Sequence, residues 1–288
     1  MSTVIIGFIQ PTQPEIIEAL AQINQGDADA ALASLARAQG TAEIEDTLWK
    51  NYVEALILFK QDKFDDGYNA LLSLYERVRD SKADFSIDVF RILGAALKKM
   101  GWYWRRKKEF EKAYAFHAIQ FNYLNEYGSP VELHDTCISL DVDSFSLKDL
   151  RQSEFWLRRG LEAAQQIEDG RSRARAMGMS CNNLAGTLYS LNRFDEAVNT
   201  INLSMKHWEE YEVHAGTQEF RVLWAHYGVG DVYENWARFL KENGRDFSQQ
   251  KQRSIESYQQ SLELAQQREL PEKESKVIAE RLATARLL

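Results

Sequence analysis

Apolar residues along this chain recur at intervals of three and four rather than two: Ile16, Ile17, Leu20 and Ile23 in one segment, Leu71, Leu72, Leu74, Tyr75 and Val78 in another, Trp156, Leu157, Leu161 and Ala164 in a third. That spacing lines one face of an α-helix, and no stretch of useful length alternates as a strand does. Proline, the strongest helix breaker, stands only at positions 11, 14, 130 and 271, which leaves 15–129 and 131–270 open to long helices. Short polar breaks, most with a residue tolerant of positive φ, fall at Gln25-Gly26-Asp27, Gln61-Asp62-Lys63, Tyr127-Gly128-Ser129-Pro130, Asp169-Gly170, Ser190-Leu191-Asn192-Arg193 and Glu242-Asn243-Gly244-Arg245. Pattern and breaks predict an all-α chain of antiparallel helix pairs at about 14–38, 42–80, 84–126, 131–168, 171–211 and 216–268, with a final helix from about 272 and an N-terminal extension over 1–13.

The pairs share a local grammar. In residues 180–207, Asn183-Leu184-Ala185 and Leu188 precede Leu191-Asn192-Arg193-Phe194-Asp195-Glu196-Ala197, followed by Ile201 and Ser204. An equivalent small residue, needed where two helices of a hairpin cross closely, occurs in six segments as Ala31, Gly67, Ala113, Ser153, Ala197 and Ser254. Four residues later stand Leu35, Leu71, His117, Leu157, Ile201 and Tyr258, five of them large apolar or aromatic residues suited to a hairpin core. This grammar resembles the tetratricopeptide repeat (TPR). Successive small positions lie 36, 46, 40, 44 and 57 residues apart, against about 34 in that family, and the proline that usually follows the second helix is missing. The resemblance covers nearly the whole chain. It implies one superhelical domain over 14–288, an α-solenoid of about six hairpins whose concave groove is lined mainly by the first (A) helix of each pair. Ile278, Leu282 and Ala285, at i, i+4 and i+7, suit a final helix that caps the last hairpin. The run Gln166-Ile167-Glu168-Asp169-Gly170-Arg171 leading into Asn183-Leu184-Ala185 is similar to TPR arrays of bacterial signalling proteins, which often precede a nucleotide cyclase or DNA-binding output domain. No such domain is legible in the 288 residues.

Composition narrows the partners. Lysine plus arginine number 35 against 43 acidic residues, a net charge of −8 that disfavours nucleic acid. Hydrophobic residues at 44% and charged residues at 27% support a sizeable core. Apolar runs such as 4–9 and 55–59 are far shorter than the roughly 18 residues a membrane span needs. No basic segment precedes the first of them, and the two cysteines, Cys137 and Cys181, fit a reducing compartment, so a cytoplasmic location is expected.

One segment stands apart. Six basic residues fall within residues 98–108 of this acidic chain, and Lys98, Trp102, Arg105 and Arg106, at i, i+4, i+7 and i+8, share a helix face. The TPR resemblance implies that these positions line the groove, where arginine can hold a carboxylate bidentately and the indole can cover an apolar neighbour. The plainer reading is a solvated helix end whose cations pair with Glu109 and Glu111. On the fifth A helix the resemblance places Asn182, Gly186 and Tyr189 in the groove, where an amide can bond an extended peptide. The two-carboxylate clamp of many family members is not expected, because Trp224 and Gly228 on one side and Ile138 and Val142 on the other replace its partners. The aromatic residues Phe110, Tyr114, Phe116, Phe121, Tyr123 and Tyr127 are expected mostly in the core.

Catalytic chemistry has no signature. His134 and Cys137 at i, i+3 lack the further ligands of a zinc site, and no nucleophile has an orienting partner and oxyanion site nearby. Asp141-Val142-Asp143 opens like a calcium loop but has Ser146 and Gln152 where the glycine and the acidic twelfth residue belong. No phosphate loop is present. The reading is a non-enzymatic adaptor, without cofactor or metal, that binds a partner peptide or helix through Lys98, Trp102, Arg105, Arg106, Asn182, Gly186 and Tyr189, with an acidic partner segment favoured at the basic face. The alternative is a ligand-sensing regulatory module acting on an output domain or partner. Arg105→Glu with Arg106→Glu is expected to abolish binding without loss of helicity.

Overall fold

Helix boundaries follow from capping chemistry. Ser129 accepts a hydrogen bond from the Glu132 backbone while Glu132 bonds back to the Ser129 N–H, and Pro130 opens the helix that follows. Asp27, Asp149 and Asp169 each cap a helix by accepting from a backbone N–H three residues on. At the hairpin turns the chain enters the left-handed region at Gly26 (φ 93°), Asp62 (60°), Lys108 (62°), Asn192 (60°) and Gly244 (65°). The next N–H then bonds back to a carbonyl of the last helical turn, as Glu109 N does to Trp104 O at 3.0 Å and Arg193 N to Leu188 O at 2.9 Å.

The computed structural model of the protein describes residues 13–38, 44–80, 87–216 and 220–288, so the expected N-terminal extension, apart from Gln13, lies outside the described residues. Thirteen helices and no strand occur among the described residues. The chain forms two compact units, the first ending at Leu147 and the second beginning at Lys148. The first contains α1 (Pro14–Gln25), α2 (Ala28–Arg37), α3 (Ile44–Lys60), α4 (Phe64–Arg79), α5 (Ile87–Arg106), α6 (Phe110–Tyr127) and α7 (Pro130–Ser146). The second contains α8 (Leu150–Gln165), α9 (Gly170–Ser190), α10 (Phe194–Ala215), α11 (Arg221–Glu242), α12 (Ser248–Gln267) and α13 (Glu272–Leu287). Within each unit, helices adjacent in sequence pack together, and A helices also meet the next A helix: α1 on α3, α3 on α5, α9 on α11.

The small-residue grammar is the packing code. All six small positions, and all six residues four places later, are buried. Serine at a crossing also meets the opposing backbone: Ser204 Oγ donates to Gly178 O at 2.7 Å, and Ser254 Oγ to Gly230 O at 3.0 Å. Ile278, Leu282 and Ala285 of α13 are buried as expected of a cap. The aromatic residues of α6 depart from expectation. All six are only half-buried, because the buried line of that helix is Ala113, His117, Gln120 and Leu124. Tyr123 and Tyr127 instead stack on Phe90, with ring centroids 5.9 and 4.4 Å away.

His117 illustrates how tightly these hairpins close. A Cβ on Gly101 would lie 2.3 Å from its Nε2, and its Nδ1 is 2.5 Å from a carboxylate oxygen of Asp143. The ring cannot yield without losing that bond. Gly101→Ala is therefore expected to destabilise the protein by about 1–3 kcal/mol despite the better helix propensity of alanine. Urea denaturation checks this, and an unchanged midpoint would mean that the imidazole moves freely.

Candidate functional site

The cations of α5 divide between two neighbours. Arg91, Lys98 and Arg105 repeat every seven residues and face α7. There Arg91 Nη2 donates to Glu132 at 2.9 Å, Lys98 Nζ to Asp135 at 3.2 Å, and Arg105 Nε to Asp143 at 2.7 Å. Arg105 also donates through Nη2 to the Ser139 carbonyl at 2.7 Å. Burial alone would raise the Asp135 carboxyl, but His134 and Lys98 hold it well below the usual carboxylate range. Asp143 is fully buried and carries His117 on its other oxygen. Lys98 and Arg105 thus form part of an ion-pair ladder between A helices, and the expectation that Arg105→Glu would be structurally neutral is corrected. It would set a second carboxylate against buried Asp143. The pairing expected with Glu109 and Glu111 is also different. Lys112 meets Glu109 at 3.4 Å, while Lys107 turns to Asp65 at 2.7 Å.

Trp102 and Arg106 take the other side of α5. The Trp102 indole, 36% exposed, lies against Phe59 at the end of α3 and Phe64 at the start of α4, with ring centroids 5.9 and 6.0 Å away. The Arg106 guanidinium sits 4.0 Å over the Phe64 ring and 5.5 Å from that of Trp102. It makes no ion pair or hydrogen bond among the described residues.

In the second unit, Asn182 is exposed and Gly186 and Tyr189 are half-buried along α9. Beside Asn182 the next A helix offers Gly228, whose absent Cβ would lie 3.6 Å from the amide oxygen, so no second amide or lysine completes a clamp at this point. Burial raises the Tyr189 phenol, and the neighbouring Asp231 carboxylate raises it further. Around Asp231 the hydroxyl of Tyr258 meets two carboxylates, Asp231 at 2.6 Å and Glu234 at 2.9 Å. Arg281 of α13 reaches the same group, 3.3 Å from Asp231, and donates to the Tyr227 hydroxyl at 3.3 Å. Desolvation pushes the Asp231 carboxyl upward against the opposing pull of Tyr258 and Arg281.

Gly186 differs from the other packed helix glycines. An added Cβ would meet His117 at Gly101, Trp208 at Gly178 and Tyr258 at Gly230, within 2.3, 2.8 and 2.7 Å respectively. At Gly186 it would meet only the Tyr189 ring, at 4.0 Å. A glycine in a helix interior costs about 1 kcal/mol relative to alanine, and here no close contact requires it.

No cluster of three or more metal-ligating side chains occurs among the described residues. Asp141 and Asp143 lie within α7 rather than in a loop. Burial raises the Cys181 thiol to about 11, which makes it a poor nucleophile. No described helix is long and apolar enough to cross a membrane.

No family model matches the chain, and no curated protein matches it. Solved structures do share its fold. RapI in its apo form is 14% identical with a TM-score of 0.69, over 94% of this chain and 69% of that one. BtubC from P. vanneervenii is 14% identical with a TM-score of 0.57, over 89% of this chain and 92% of that one. A signal transduction ATPase with numerous domains from Pyrococcus horikoshii, which carries a tetratricopeptide repeat sensor, is 12% identical with a TM-score of 0.62. That match covers 95% of this chain but 41% of the larger protein. At these identities the likeness establishes the fold, an all-α TPR-type array.

Proposed function

We propose that the chain is a non-catalytic regulatory adaptor that holds a peptide or helix of a partner protein on the uncovered positions of its A helices. The observation that carries the reading is Gly186, a helix glycine whose added Cβ would meet nothing closer than the Tyr189 ring at 4.0 Å, set between exposed Asn182 and half-buried Tyr189. Such a position lets a second backbone approach α9 closely, and Asn182 supplies both a donor and an acceptor for it. Trp102 and Arg106 give the first unit an aromatic and cationic anchor of the kind that dominates binding interfaces. A sensing role is consistent with the TPR sensor of the P. horikoshii ATPase.

Gly186→Ala is expected to raise stability by up to about 1 kcal/mol through helix propensity, whereas Gly186→Leu places a bulky side chain where a partner backbone would approach. A native lysate passed over the intact chain, the Gly186→Leu variant and a Trp102→Ala, Arg106→Glu variant provides the test, with retained proteins identified by mass spectrometry. The expected outcome is one partner held by the intact chain and lost from at least one variant that melts as the intact chain does. Retention equal on all three would contradict the assigned positions.

One feature favours a second reading, a small-ligand sensor. An open depression of about 570 Å³ on the second unit is lined by Val213, Val222, Leu264, His226, Glu209 and the Arg268–Glu212 pair, which closes at 2.6 Å. Its size lies in the range of small-molecule sites. Burial lowers the His226 imidazole below its ordinary value, against the opposing pull of Glu209, which also lines this site. A small molecule released from the purified chain on denaturation would favour the sensor.

A further inference from the structure

Three cations gather where α3 and α5 end, and the described residues give them no acidic partner. Lys99, Trp102 and Arg106, at i, i+3 and i+7, share one face of α5. Across from them, α3 ends in Phe59 and Lys60. Phe59, Phe64 and Trp102 form a triangle, with ring centroids 6.2, 5.9 and 6.0 Å apart. Arg106 lies over this triangle, its guanidinium carbon 4.0 Å from the Phe64 centroid and 5.5 Å from that of Trp102. Desolvation lowers the half-buried Lys99 amine, and the nearby charges of Lys98 and Lys60 lower it further. The acids of the neighbouring turn leave the cations unneutralised. Asp65 is held by Lys107 and Tyr103, and no ion pair joins Asp62 or Asp66 to Lys60, Lys99 or Arg106.

The geometry points to a docking site for a partner peptide that presents a carboxylate side chain beside a large apolar one. The site is formed by Phe59, Lys60, Phe64, Lys99, Trp102 and Arg106. With no hydrogen bond or ion pair of its own among the described residues, the Arg106 guanidinium keeps its N–H donors available for both oxygens of a carboxylate. The exposed part of the Trp102 ring takes the apolar neighbour. Excess positive charge with no internal counter-ion selects an acidic segment over a neutral one. Lys98 and Arg105 have no part in it, since their charge is spent on α7.

This inference rests on the peptide-binding reading, and the test separates the two. The probe is the peptide acetyl-Glu-Glu-Trp-Glu-Glu-amide, titrated into the full chain, with its Gln counterpart and a single-stranded oligonucleotide of equal charge alongside. Calorimetry gives the affinity, and the Trp102 indole N–H resonance, identified through its loss in Trp102→Phe, reports the place. The expected result is a shift of that resonance with the Glu peptide, and binding weaker by about tenfold or more with the Gln peptide or with Arg106→Ala, the effect of one charge-assisted hydrogen bond. Lys98→Ala should leave the affinity unchanged. No shift, a shift insensitive to Arg106→Ala, or tighter binding of the oligonucleotide would overturn the inference. Peptides selected from a random library for binding to the chain provide the separating arm. If these bind and depend on Gly186 while the acidic peptide does not bind, the adaptor reading stands and this site falls. If neither binds, both fall.

Discussion

Asp143→Ala is expected to lower the free energy of unfolding by about 3 kcal/mol or more, the largest effect of any single substitution discussed for the first unit. Asp143 is fully buried in the middle of α7, and both of its oxygens are engaged. Arg105 occupies one at 2.7 Å and His117 the other at 2.5 Å. Removing the carboxylate leaves a guanidinium that is 24% exposed and an imidazole that is 1% exposed without their shared acceptor. Partly exposed Arg105 can recover some hydration, which places the effect at the lower end of the range for a broken buried pair, about 3–5 kcal/mol. His117 has no such outlet, because α5 closes over it at Gly101. Asp143→Asn keeps the volume and one acceptor oxygen, so it should lie between alanine and the parent. Urea denaturation followed by circular dichroism measures all three. A change below about 0.5 kcal/mol for alanine, the scale of a neutral surface substitution, would mean that the triad does not hold α5, α6 and α7 together.

Deleting residues 272–288 is expected to have a larger effect, roughly 5 kcal/mol on the second unit. Fully burying an isoleucine or leucine contributes about 1.5–3 kcal/mol, and α13 buries Ile278 and Leu282 together with Ala285. Tyr258, Ile255 and Leu262 would lose the surface that covers them. The deletion also removes Arg281, which lies 3.3 Å from Asp231 and 3.7 Å from Glu234. Of the two carboxylates around the Tyr258 hydroxyl, Glu234 would keep Arg238 at 2.6 Å, while Asp231 would lose the cation it pairs with. Repeat arrays need such a terminal cover, because the last hairpin cannot bury its own face. Calorimetric unfolding of the truncated chain provides the measurement, and a midpoint within a degree or so of the parent would show that α13 is dispensable. Its buried stripe serves the fold, which leaves only Val277 and Leu287 as exposed large apolar residues on this helix.

The hairpins were legible in the sequence because their code is local. A small residue and a large one four places later suffice to mark where two neighbouring helices cross, and all six such pairs are buried. Even the exception, histidine at position 117, stands in the core as its place in the pattern requires. The ladder between α5 and α7 was not legible in the same way, since its partners lie 41, 37 and 38 residues apart. A signal existed in the seven-residue spacing of Arg91, Lys98 and Arg105, which marks one stripe of α5, but nothing local shows that α7 offers the acids. Local spacing therefore shows one basic face where the structure holds two. Lys98 and Arg105 bind inward to α7, and Trp102 and Arg106 lie toward α3 and α4. The aromatic triangle has no local signature for the same reason, because Phe59, Phe64 and Trp102 come from three helices. Tyr258 and its two carboxylates show the converse. A tyrosine in a core position carries a hydroxyl that must find an acceptor, and Asp231 and Glu234 stand one turn apart on α11 to receive it.

The central claim is that uncovered A-helix positions bind a peptide, and hydrogen exchange of the chain with and without peptides selected from a random library tests it most directly. The account predicts that binding protects amides in residues 98–106, in residues 182–189, or in both, and that Gly186→Leu or Arg106→Glu removes the matching protection. Failure of selection to enrich any sequence would contradict the account. So would protection confined to the segments around Val213 and His226.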